Sequence, residues 1–339
     1  MMTKNLEATA QAMVATGKGI LAADESSPTI KKRFDSIQVE SSEENRRTYR
    51  DMLFTTPGIN EFVSGVILFD ETLRQSSADG TPFPKLLNDL GIIPGIKVDQ
   101  GAKPMAGFEG EKITAGLDGL RERLAEYYEL GARFTKWRGV ITIGEGLPTD
   151  YNIEANAHAL ARYAALSQEA GLVPIVEPEV LMDADNTIER CEEVTEHVLK
   201  TVFHHLEGHR VHLEGINLKP NMVVSGKKCP VQTGIQKVAE ATVRCLRASV
   251  PATVPGIVFL SGGQSAQDAT AHLNAMNALD GVPWQLSFSY GRALQAPALD
   301  AWLGKTENVD AAKRVFYNRA KCNGAARFGK YNEGMEQAA

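Results

Sequence analysis

The stretch LEGINLKPNM, residues 213–222, ends an apolar run on an amine, Lys219, with Pro220 straight after it. Lysine is seldom buried unless it is paired or its charge is suppressed. A lysine in this place is therefore either a solvated strand terminus or a working nucleophile. Similar endings recur along the chain. Short apolar runs finish on Asp24, on Lys97, on Lys136 with Arg138, on Glu177 with Glu179, on Lys219, on Ser261 and on Arg292. An amine held partly neutral attacks a carbonyl carbon and forms a Schiff base. Lys136 and Lys219 close runs two apart in order, and a second cation nearby lowers an amine's pKa. Expelling water from the carbinolamine needs an acid, and cleaving a carbon–carbon bond needs a base. Two carboxylates in different surroundings, Glu177 and Asp24, can divide those jobs. The plainer reading makes each lysine solvated and each carboxylate its counter-ion. Three lysines, two arginines and three carboxylates at run ends are hard to explain by solvation alone.

The last two runs carry a different signal. SGGQSAQDATAHLNAM and SYGRALQAPALDAW each read as strand, glycine turn and helix start. Backbone N–H groups at a glycine turn and at a helix N-terminus bind anions. Arg292 adds a guanidinium suited to phosphate. Lys97 and Ser26 are candidates for a second phosphate across the same mouth. A nucleotide is not implied, because no phosphate-binding P-loop pattern is present.

These groups need a scaffold that brings strand ends together. The runs are 19–24, 62–70, 91–99, 132–138, 171–179, 212–220, 256–263 and 284–292. They are short and nearly continuously apolar, as buried parallel strands are. Helical patterns lie between them. In TAGLDGLRERLAEYYELGA, Leu117, Leu120, Leu124 and Tyr127 share a face, and NIEANAHALARYAALSQEAG ends where Gly171 suits a C-cap. SSEENRRTYRDMLF opens with the Ser and Glu residues that a helix start prefers. Eight strands alternating with helices predict a single-domain α/β fold, a (β/α)8 barrel, whose chemistry sits at the strand C-termini. The alternative is an open doubly wound sheet. The polar residues 330–339 are expected to form a short mobile tail.

The bulk numbers agree. A chain of 339 residues suits one large barrel, and its net charge of −6 argues against nucleic acid or an anionic membrane as a partner. No apolar run reaches membrane-spanning length, and the first residues lack a signal-peptide core. Cys191, Cys229, Cys245 and Cys322 show no framework spacing and read as reduced thiols of a cytoplasmic protein. FHHLEGHRVHLEG gathers four histidines, and His205 and His209 have a helical metal-ligand spacing, but Gly208 between them weakens the helix and no other His or Cys cluster completes a site. It reads as the exposed end of a helix, and no metal site is assigned.

Taken together, GKGILAADES (17–26), GVILFDETL (65–73), GIKVDQG (95–101), KWR (136–138), VPIVEPE (173–179), LEGINLKPNMV (213–223), FLSGGQS (259–265) and SFSYGRALQ (287–295) resemble class I fructose-1,6-bisphosphate aldolases. The likeness runs in order over nearly the whole chain. It implies a metal-independent (β/α)8 lyase without cofactor, usually a homotetramer, acting on a sugar phosphate in glycolysis and gluconeogenesis. Lys219 then matches the Schiff-base lysine and Lys136 the lysine that assists carbinolamine chemistry. Glu177 matches the acid/base that dehydrates it, and Glu179 its partner carboxylate. Asp24 matches the residue near the C4 hydroxyl. Ser261, Gly262, Gly291 and Arg292 match the C1-phosphate site. Ser26, Arg33 and Lys97 match residues near the C6 phosphate, and Arg138 a further active-site arginine. The animal members end in a tyrosine that moves the C3 proton, whereas this chain ends in MEQAA, as a bacterial-type member with a shorter tail would. Thr29, in the loop beside the second phosphate, leaves the choice between the bisphosphate and fructose 1-phosphate open.

Overall fold

A computed structural model describes residues 2–338. Eight parallel strands close into a barrel: β1 Gly19–Ala23, β2 Val63–Leu68, β3 Ile93–Lys97, β4 Phe134–Ile141, β5 Val173–Val180, β6 Asn217–Leu218, β7 Gly256–Phe259 and β8 Gln285–Tyr290. They follow one another around the ring in chain order, and β8 pairs with β1. The expected (β/α)8 architecture is therefore present and the open sheet is not.

Strand alternation decides what each wall faces. On β4, Phe134, Lys136 and Arg138 share the inner face, while Trp137 turns outward and stacks on Tyr163 of the helix Asp150–Glu169, ring centroids 5.6 Å apart. On β5 the inner face carries Val173, Ile175, Glu177 and Glu179 in order. The lower inner residues Ile20, Ile67, Phe134, Val173, Ile175 and Val258 form an apolar cluster with Leu6, Ala10, Met13 and Val14. Those last residues belong to, or directly follow, the helix Met2–Met13, which plugs the N-terminal end of the barrel. Phe134 fills the axis because Gly95 leaves room; a Cβ there would lie 2.2 Å from its ring. Each inner row thus runs from apolar at the bottom to charged at the mouth. The outer rows form a much larger core with the helices.

The helices start where the sequence supplies caps. Ser42 accepts from the Asn45 N–H, Thr149 from Asn152, Thr187 from Arg190 and Ser265 from Asp268. Gly171, two residues past the helix Asp150–Glu169, takes φ +77°, the left-handed turn that ends a helix and that glycine adopts freely.

Four features depart from expectation. The run 212–220 is mostly not strand: Leu213–Gly215 is a 3₁₀ turn and only Asn217–Leu218 pair as strand. Conversely, β4 continues past Arg138 to Ile141, so Lys136 lies within the strand rather than at its end. The loop after β3 holds an unforeseen hairpin, Ala102–Pro104 with Lys112–Thr114. The polar C-terminal segment is docked rather than free. Tyr331 is buried, its N–H donates to Asn274 Oδ1 at 2.8 Å, and Glu333–Ala338 forms 3₁₀ turns. Glu336 there pairs with the buried Arg319, and the Asn318 amide donates to the Met335 carbonyl at 3.1 Å. Polarity was misleading because these residues satisfy buried partners on the helix Val309–Ala326.

Candidate active site

A cavity of about 230 Å³ opens at the C-terminal mouth of the barrel. Its lining contains every residue expected there: Asp24 and Ser26 from the first βα loop, Arg33 from the helix Ser27–Ser36 that follows it, Lys97, Lys136, Arg138, Glu177, Glu179, Lys219, Ser261, Gly262, Gly291 and Arg292. Residues more than two hundred positions apart meet because parallel strands present all their C-termini on one face.

The centre is a chain of alternating charge. Lys219 Nζ lies 3.1 Å from Glu177 Oε1; Lys136 Nζ lies 3.4 Å from Glu177 Oε2 and 2.6 Å from Asp24 Oδ2. Both lysines and Glu177 are buried. Lys219 follows the short β6, and its N–H donates to the Val176 carbonyl at 2.8 Å, which fixes the root of its side chain against β5. Glu177 stands between the two amines. Its Oε2 accepts no hydrogen bond among the described residues.

Burial alone raises the Asp24 carboxyl, but Lys136, Lys219 and Lys97 outweigh it and hold Asp24 well below the usual carboxylate range. Burial likewise works against the Lys136 cation, yet Asp24, Glu177 and Asp99 more than offset it, and its pKa rises above that of ordinary lysine. The expected lowering of an amine by a second cation therefore does not describe Lys136. Carboxylates separate the like charges, so Lys136 stays a fixed cation.

The rim is positive. Lys97 Nζ donates to the Asp99 carbonyl and carboxylate at 2.7 and 2.6 Å, which aims it across the mouth. Arg138 is paired with Glu179, and burial's pull on it is overcome by that carboxylate, which raises its pKa. Ser26 Oγ lies 3.2 Å from Thr29 Oγ1. At the far side the turn after β7 takes φ +56° at Gly262, and the Arg292 guanidinium donates to the Gly262 carbonyl at 2.5 Å. Gly291 opens the helix Arg292–Trp302. Glycine turn, helix start and guanidinium converge in one corner, an arrangement suited to an anion. Arg33, grouped by resemblance with Ser26 and Lys97, sits against Gly291: a Cβ there would lie 3.6 Å from Arg33 Nη2.

Sequence reasoning missed several groups. Glu25, adjacent to Asp24, is buried and binds both Arg33 and Arg50. Only its place in ADES hinted at a role. Asp99 was inside a recognised run but not singled out, although KVD puts it two residues from Lys97, on the same side. Ser289 lines the cavity, and its buried hydroxyl has no partner among the described residues. The histidine-rich stretch lies outside this site. His205 pairs with Glu154 on the neighbouring helix, and the His209 ring packs edge-on to His158 at 5.0 Å.

Fold and cavity together are those of a (β/α)8-barrel enzyme that handles anionic ligands at the strand C-termini. Comparison with known proteins narrows this. The family profile described as fructose-bisphosphate aldolase class-I matches residues 5–339. A probable fructose-bisphosphate aldolase class 1 from Xanthomonas campestris pv. campestris is 59% identical over 332 residues, 98% of this chain and 99% of that protein. A fructose-bisphosphate aldolase from Dictyostelium discoideum is 55% identical, covering 96% and 92% of the two chains. A crystal structure of the Plasmodium falciparum aldolase, in complex with TRAP and a small-molecule inhibitor, superposes with TM-score 0.97 at 53% identity, over 98% of this chain and 96% of that one. The chain belongs to the class I fructose-bisphosphate aldolase family, a family of lyases.

Proposed function

We propose that the protein cleaves fructose 1,6-bisphosphate reversibly through a Schiff base on Lys219. The observation that carries this is the buried Lys219–Glu177 contact at the end of a cationic cavity. The Lys219 amine attacks the C2 ketone, and Glu177 delivers a proton so that the carbinolamine loses water. The iminium is the electron sink. A base takes the C4 hydroxyl proton, the C3–C4 electron pair moves into the enamine, and glyceraldehyde 3-phosphate leaves. Protonation at C3 and hydrolysis then release dihydroxyacetone phosphate and the free amine.

Glu177 serves as that base better than Asp24. Glu177 directly faces the Lys219 amine, and its Oε2, 3.4 Å from Lys136, accepts no hydrogen bond among the described residues, whereas Asp24 is held as a firm carboxylate by Lys136 at 2.6 Å. Asp24 and Lys136 act as a fixed ion pair that orients the C4 hydroxyl and screens Glu177. Ser261, Gly262, Gly291 and Arg292 hold one phosphate; Lys97 and Ser26 receive the other, with Arg138 and Glu179 closing the wall. The enzyme works in the cytoplasm as a homotetramer, as family resemblance implies. The free cysteines, all buried, fit a reducing compartment.

Borohydride trapping tests this reading. The protein is incubated with dihydroxyacetone phosphate, reduced and digested, and the adduct is mapped by mass spectrometry. The expected adduct is on Lys219. An adduct on another lysine refutes the placement, and no adduct with phosphate binding intact refutes the chemistry.

A further inference from the structure

Glu25 is the junction of a buried network behind the cavity wall. Its Oε1 accepts from Arg33 Nη1 and from the Gln295 amide at 2.9 Å; its Oε2 accepts from Arg50 Nη2 at 2.7 Å. Gln295 is held in turn by the Tyr49 hydroxyl at 3.1 Å and donates to the Ala22 carbonyl at 2.7 Å. The two guanidiniums differ in place. Arg50, on the helix Glu43–Phe54, is 2% exposed and has no face on the cavity; Arg33 lines it. The Arg50 Nε has no partner among the described residues, so its charge is engaged mainly by Glu25.

A carboxylate shared by two guanidiniums leaves one positive charge in excess. That excess emerges at Arg33, the member facing the cavity. Were Glu25 matched by Arg33 alone, the pair would be self-neutral and a phosphate would compete with Glu25 for the same guanidinium. We propose that Arg50 is a positioning residue: a buried counter-ion that satisfies Glu25 and so leaves Arg33 free to hold a substrate phosphate beside Gly291. The substrate named here rests on the proposed function; the charge relation does not.

The test compares three proteins. Arg50→Gln should raise KM for fructose 1,6-bisphosphate and weaken inorganic phosphate as a ligand by roughly tenfold each, the loss of about one charge-assisted contact. kcat should fall less than KM rises. Removing both buried charges, Glu25→Gln with Arg50→Met, should restore phosphate affinity to within about threefold of the wild type, because Arg33 is again unmatched; swapping a buried ion pair for uncharged groups is tolerated by many folds. A structural role alone would make the double variant as poor as the single one. The proposal is overturned if Arg50→Gln binds phosphate normally, or if the double variant binds no better than Arg50→Gln. Phosphate titration, followed by heat of binding, needs no turnover. An inactive wild type would therefore count against the proposed function and leave this result readable.

Discussion

Glu177 stands between two amines, 3.1 Å from Lys219 Nζ through one oxygen and 3.4 Å from Lys136 Nζ through the other. All three groups are buried, and the second oxygen forms no hydrogen bond among the described residues. A carboxyl so placed touches the proposed nucleophile directly through one oxygen and faces a second cation through the other.

Glu177→Gln keeps the shape of this centre and removes its ability to give or take a proton. Cleavage of fructose 1,6-bisphosphate should slow by roughly 10²–10⁴-fold, the usual contribution of a general acid/base, while KM changes far less. Steady-state kinetics on the purified variant decide this. A turnover within tenfold of wild type would move the acid/base role elsewhere.

Lys136 and Asp24 should be linked in their pH dependence. The folded-state pKa of Asp24 lies below its ordinary 3.8, so its stabilising contribution is full above that pH and is lost as the pH falls below it. The pKa of Lys136 lies above its ordinary 10.5, so its contribution is full below that pH and fades only as the pH rises beyond it. The gap in melting temperature between wild type and Lys136→Met should therefore be flat from about pH 5 to about pH 9 and narrow below about pH 4. Thermal unfolding across a pH series measures it; a gap widening in acid would contradict the pairing.

Gly262→Ala should weaken phosphate binding. The backbone there has φ +56°, and an added Cβ would lie 2.5 Å from the Met182 methyl. A left-handed alanine costs about 1 kcal/mol, and the turn must shift in addition. KM for the bisphosphate should rise about five- to tenfold, more than kcat falls. An unchanged KM would remove the β7 turn from the phosphate site.

Glu336→Gln should lower stability by about 1–2 kcal/mol, the cost of weakening a charged hydrogen bond. Arg319 is nearly buried and pairs with Glu336, which also accepts from the Tyr331 hydroxyl at 2.8 Å. Urea unfolding gives the comparison. A variant as stable as wild type would mean that the C-terminal segment contributes little to holding the barrel.

Much of this protein is legible in its sequence. Near-continuous apolar runs ending in charge mark barrel strands, because a strand buried on both faces has no polar alternation until it reaches the mouth. Lys219 and the SGGQ and SYGR turns are found that way because each sits where a strand meets its loop, whereas Lys136 and Glu177 lie inside strands that run on to Ile141 and Val180. The short β6 was overextended, because Leu213 and Ile216 satisfy an apolar pattern whether they lie in a strand or a 3₁₀ turn. The docked C-terminal segment was misread because a polar side chain gives no sign of a buried partner such as Arg319 waiting for it.

Residue types and order thus determined the barrel and the end of it at which ionisable groups collect, since both follow from local hydrophobicity and spacing. Tertiary structure alone decided how those groups pair. Whether Lys136 is neutral or a fixed cation depends on Asp24, more than a hundred positions away in the chain, lying 2.6 Å from its amine. Whether Arg33 is free depends on Arg50 reaching the far oxygen of Glu25. Electrostatic character depends on distance in space and on burial, and neither is fixed by separation along the chain.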